Sequence, residues 1–175
     1  MNPTQGLHLA VFGCGLAVAS VLDIRARRIP NWVTVPLFCA GITAAGLSGG
    51  VSAAGWALLG GLCGLALLIG PFAKGWTGAG DVKLLAAIGT WLGPLGALLC
   101  ALASAAFGGL LSLAYALRLR GPGRADVWTN LRLVIFTRSL DSLPGDDAPR
   151  GPPYAPAMAV GALSTLWITG VGIAI

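Results

Sequence analysis

The chain has 175 residues, of which 56% are hydrophobic and only 10% charged, with eleven Lys/Arg against six Asp/Glu and a net charge of +5. Soluble domains carry about 25% charged residues, so this composition excludes a soluble globule, and the mean hydropathy of +0.83 points to an all-α polytopic membrane protein. The basic balance implies no nucleic-acid partner, because that needs a basic patch on a soluble fold, and disorder is excluded over most of the length.

A membrane-spanning helix needs about 20 predominantly apolar residues. The uncharged block 1–22 holds one, about 7–22. The block 29–73 holds two, about 33–47 and 51–72, joined by Ser48-Gly49-Gly50. Two more, about 82–93 and 95–117, meet at Pro94 between Gly93 and Gly96, a combination that marks a bend. The last is about 154–174. Six spans in one membrane domain over 1–175 put the connections 23–32, 74–83 and 118–153 on one side. Every Lys, Arg, Asp and Glu then falls on that side. The positive-inside rule makes it cytoplasmic and turns both termini outward, to the periplasmic side. A five-span threading would scatter the charges over both faces. Ala17-Val18-Ala19 resembles a signal cleavage site, but residues 1–8 carry no Lys or Arg and three arginines follow the run. That is the reverse of a secretory signal.

The 27 glycines would each cost a soluble helix about 1 kcal/mol against alanine; in a bilayer, small residues let helices approach closely. Gly60-x-x-x-Gly64 and the series Gly41, Ala45, Gly49 have the spacing for tight packing. Cys14, Cys39, Cys63 and Cys100 all lie within spans and form no C-x-x-C pair, so they are expected to behave as small buried hydrophobes. With His8 the single histidine, no metal site, Ser-His-Asp triad or cofactor site is indicated. In the segment 118–153, Asp126 can cap a helix whose Val127, Leu131, Val134 and Ile135 share a face, as in a helix lying in the membrane interface. Residues 139–153, rich in Pro and Gly, read as an irregular loop.

Two acids stand apart from that segment. Asp23 follows the first span, in Asp23-Ile-Arg-Ala-Arg-Arg-Ile-Pro-Asn31; Asp81 sits in Gly78-Ala-Gly-Asp81-Val-Lys83, where the chain re-enters the bilayer. An acid at membrane depth is costly and points to function. Two close carboxylates that share one proton supply an acid and a base at the same pH. The ionised one can take a proton from water while the protonated one polarises a peptide carbonyl. From the residues alone two other readings stay open. The acids could be topology anchors paired with neighbouring Arg and Lys, or one could be the proton relay of a small proton-coupled or ion carrier. No internal repeat and no midplane acid favours a carrier.

Three stretches carry a family resemblance: Asp23 to Asn31 running on through Thr34-Val-Pro-Leu37 to Gly41; Gly78-Ala-Gly-Asp81-Val-Lys83 through Trp91-Leu-Gly-Pro94; and, more weakly, Pro153-Tyr-Ala-Pro156 to Gly161. With these the chain resembles the prepilin peptidases, the membrane aspartic proteases that process type IV pilin precursors. The resemblance implies Asp23 and Asp81 as the catalytic pair. It makes Gly78 and Gly80 the glycines of the Gly-x-Gly-Asp signature shared with presenilin-type proteases, and Lys83, Pro30 and Asn31 supporting or substrate-binding positions. It also implies a bacterial inner-membrane enzyme whose substrates are prepilins with a short basic leader, a glycine and an apolar N-terminal helix, cleaved at the cytoplasmic face. The best-known members carry a large cytoplasmic insertion with paired cysteines and N-methylate the new terminus. Here about ten residues separate the first two spans and no such cysteines exist. The chain therefore looks like the short, peptidase-only members associated with Flp-type, tight-adherence pili, without methylation activity.

Overall fold

A computed structural model describes residues 3–74, 77–118 and 154–169. The expected interfacial helix and loop within 118–153, and the end of the last span beyond residue 169, lie outside the described residues. The described chain is helical, without strands: α1 (Pro3–Ala26), α2 (Asn31–Ala73), α3 (Ala79–Arg118) and α4 (Ala155–Thr169). It divides into two compact units, 1–107 with 153–175, and 108–152. The first unit is a helical bundle; of the second, only residues 108–118, the end of α3, are described.

Among the described residues, three helices are long and apolar enough to cross a membrane, and α4 is a shorter apolar helix. Their outward faces are apolar as well: Leu7, Val18, Trp56, Leu62, Ile69 and Leu102 are all exposed. This is the surface of a membrane protein.

Helix α2 has 43 residues and would run about 65 Å if straight, twice the hydrocarbon thickness of a bilayer. It breaks at Gly50, whose φ of 72° and ψ of −161° suit only a residue without a Cβ. Beyond the break the helix doubles back: a Cβ on Gly46 would touch Ala54, and one on Gly61 would meet Phe38. Helix α3 breaks in the same way at Gly93 (φ 72°, ψ 179°), just ahead of Pro94. A straight α3 would carry Cys100 about 26 Å along the axis from Lys83. Instead the Cys100 thiol reaches the Met158 carbonyl, one turn into α4, at 3.8 Å. Both breaks fall in the connections expected from Ser48-Gly49-Gly50 and from Gly93-Pro94, and the described residues form six helical segments.

The first half of α3 is the centre of the bundle. Leu84, Leu85, Ala87 and Ile88 are fully buried. The Trp91 ring packs on Phe12 at a centroid distance of 5.3 Å, and its indole N–H donates to the Leu37 carbonyl at 2.9 Å. His8 is accounted for as a packed core-edge residue, edge-on to Trp91 at 6.4 Å. The tight packing expected of Gly60 and Gly64 is present. A Cβ on Gly60 would collide with the Gly89 carbonyl oxygen, and one on Gly64 would lie 2.5 Å from that of Leu85, so α2 and α3 touch backbone to backbone. The cysteines depart from expectation. Cys100 is buried, but Cys14, Cys39 and Cys63 are exposed. In a lipid-facing protein an apolar span does not imply a buried residue, because lipid accepts a thiol as readily as the core does.

Candidate active site

Each of the two acids extends a buried stripe of its helix. On α1 the inward residues Phe12, Leu16 and Ala19 recur at helical spacing, and Asp23 is the next position on that face. It is 8% exposed. On α3 the stripe Leu84, Leu85 and Ile88 runs back to Asp81, three residues before Leu84. Core packing therefore aims both carboxylates inward, at the end of the bundle where α1 finishes and α3 starts.

Helix α1 stops at Ala26 because Arg27 adopts a left-handed φ of 51°, a helix-ending conformation that usually falls to glycine and costs a non-glycine residue about 1 kcal/mol or more. The Arg27 N–H donates to the Asp23 carbonyl at 2.9 Å. Pro30, extended at φ −75° and ψ 152°, then starts α2. At the other acid, Asp81 lies in the first turn of α3. Its own N–H donates to the Gly78 carbonyl at 3.1 Å, and its Oδ2 accepts the Gly78 N–H at 3.3 Å. The carboxylate thus reaches back to the residue ahead of the helix, as the acid of a capping box does. The second glycine of the signature has a packing reason: a Cβ on Gly80 would lie 3.1 Å from that of Ile29. The loop after Asp23 thus packs directly on the turn that carries Asp81.

The two carboxylates are near enough for the charge of Asp23 to act on that of Asp81. A third segment joins them. The N–H of Ala155 donates to Asp23 Oδ2 at 2.9 Å, and the phenol of Tyr154 lies in the field of Asp81. The likeness in Pro153-Tyr-Ala-Pro156 marks this stretch, but nothing in the sequence assigns it a contact with an acid. A backbone amide carries no residue-type signal, and this one comes from 132 positions away.

Lys83 and Asn31 come together elsewhere. Lys83 Nζ donates to Asn31 Oδ1 at 2.9 Å. Two residues along a helix are about 200° apart, so Lys83 faces away from Asp81. Beside it opens a mostly apolar cavity of about 250 Å³, lined by Asn31, Thr34, Val35, Phe38, Leu65, Lys83 and Ala86. Among the described residues, no group of three or more His, Cys, Asp or Glu is placed to hold a metal ion.

Residues 10–113 match the model of the type IV leader peptidase family. The match covers more than half of the chain and includes both acids. The chain belongs to the type IV leader peptidase family. No curated protein and no solved structure matches it. Membership of this family makes the chain a peptidase of the leader-peptidase kind, acting in general on type IV prepilins, and the family's matched region spans most of α1, all of α2 and most of α3.

Proposed function

We propose that this family member is an aspartic endopeptidase of the bacterial inner membrane that removes the basic leader from Flp-type prepilins, with Asp23 and Asp81 as its acid–base pair. The observation that carries the reading is the convergence of two inward-facing carboxylates at one end of the bundle, each placed by the buried stripe of its own helix. In this scheme the pair shares one proton. The ionised carboxylate takes a proton from a water molecule, which attacks the scissile carbonyl carbon, while the protonated one donates to the carbonyl oxygen. Collapse of the tetrahedral intermediate passes a proton to the leaving amine, so no covalent enzyme intermediate and no cofactor is required. The substrate's apolar helix stays among the lipid-facing spans and its basic leader stays in water.

The reading takes the six helical segments as six crossings, with both termini periplasmic and the acids at the cytoplasmic face. It assigns the chain no N-methylation, in keeping with its likeness to the short, peptidase-only members. Co-expression with candidate Flp-type prepilins, read as a mobility shift, tests it. Asp23→Asn and Asp81→Asn should each lower processing by about 10²- to 10⁴-fold, the range for loss of a general acid or base, while the protein stays in the membrane. Full processing by either variant would sink the acid pair. Asp81-dependent proton flux in liposomes without any cleavage would favour a carrier instead.

A further inference from the structure

We propose that the backbone N–H of Ala155, the first amide of α4, is the positioning group that fixes the Asp23 carboxylate for the reaction. This rests on the reading of Asp23 as one of the acid pair. Asp23 stands in the last turn of α1, the end of a helix where the backbone carbonyls make a negative charge unfavourable. It is also buried, so water does little to offset that. Helix α4 supplies the missing compensation. The leading amides of a helix have no partner within it and carry its positive end, and the first of these donates to Asp23 Oδ2 at 2.9 Å inside the bundle.

The sequence of that turn suits the task. Ala155 is fully buried, and its methyl leaves room for a carboxylate to reach the backbone. Pro156 has no N–H to compete and holds the turn near helical φ. Met158 N–H closes the turn onto the Tyr154 carbonyl at 3.1 Å. In this scheme the head of α4 holds Oδ2, and the other oxygen serves water or the shared proton. The group acts through Asp23 and touches no substrate in this scheme.

The test removes the N–H in two different ways. Ala155→Pro deletes the donor at the first helical position, where proline is well tolerated. A backbone ester made by installing lactic acid at position 155 deletes it without adding a ring, and so covers the case in which proline disturbs the fold. Ala155→Gly keeps the donor. The assay uses the full-length protein in detergent or lipid and a synthetic peptide carrying a basic leader, a glycine and an apolar segment. The proline and ester variants should lose about 10- to 100-fold in kcat at unchanged KM, the size of one hydrogen bond to a charged group. The glycine variant should recover most of that loss. An ester variant with wild-type kcat overturns the assignment. So does a glycine variant as impaired as the proline one, which would mean packing, or a raised KM at unchanged kcat, which would mean substrate binding. Asp23→Asn assayed alongside separates the two levels. If it stays active the acid pair itself fails; if it is dead while the ester turns over normally, only the role of Ala155 fails.

Discussion

The two acids occupy opposite ends of their helices, and the contrast organises the site. Asp81 lies in the first turn of α3, where backbone N–H groups welcome a carboxylate, and its partner amide is three residues away in an exposed glycine turn. Asp23 lies in the last turn of α1, where the same backbone field opposes it, and its partner amide comes from the head of another helix. Packing of the bundle aims both acids inward, but the amide that holds Asp81 belongs to its own turn. Asp23 depends on the assembled bundle. The hold on Asp81 is available to any chain that forms the glycine turn, and the hold on Asp23 only once α4 has docked.

Lengthening each acid by one methylene is the harshest way to break this contrast. Asp23 is buried and tied to the head of another helix, so Asp23→Glu should displace its carboxylate by about 1 Å. Such a displacement costs about 10²-fold. Asp81 is less enclosed and its turn contains two glycines, so Asp81→Glu can readjust and should cost nearer tenfold. Initial rates on one prepilin substrate, compared at equal amounts of membrane-inserted protein, decide it. Equal losses would mean that Asp81 is held as rigidly as Asp23.

The partner amides give a gentler version. Gly78→Pro removes the donor to Asp81 Oδ2, but that bond is long, at 3.3 Å, and the helix start still provides a favourable field. Its expected cost in kcat is severalfold, below the loss caused by the ester at position 155, since a long bond near solvent contributes about 1 kcal/mol or less. A glycine-turn variant more damaging than the ester would reverse the ranking of the two halves.

How much of this the sequence discloses follows the same division. The breaks at Gly50 and Gly93 are legible because a positive φ combined with an extended ψ is confined to glycine, and because charge placement limits where spans end. Asp81 is legible because its signature, its turn and its partner are contiguous. Asp23 is legible as a residue, by its place directly after the first span and ahead of the arginines. Its holder is not, because an amide looks the same in every residue. The exposure of Cys14, Cys39 and Cys63 is also hidden: sequence hydropathy separates lipid from water but does not separate lipid from protein core. Likewise the left-handed Arg27 gives no signal, since arginine is an unusual choice for that conformation.

The mildest test concerns the bond between Lys83 and Asn31, which ties the first turn of α2 to the start of α3. It joins the two stretches that carry the acids, yet lies on the face of α3 opposite Asp81. A tie of this kind should set how firmly the helices dock and leave the chemistry alone. Asn31→Ala and Lys83→Met should each lower stability by about 0.5–1.5 kcal/mol, the net range for one hydrogen bond. The double variant should be little worse than either single one, because both remove the same bond. Processing at a temperature well below unfolding should change by no more than about threefold. Thermal unfolding in detergent and initial rates on the same four proteins give both quantities. If Lys83→Met instead stopped cleavage while unfolding stayed normal, the ammonium group would belong with the acids, and the two faces of α3 could no longer be assigned separate tasks.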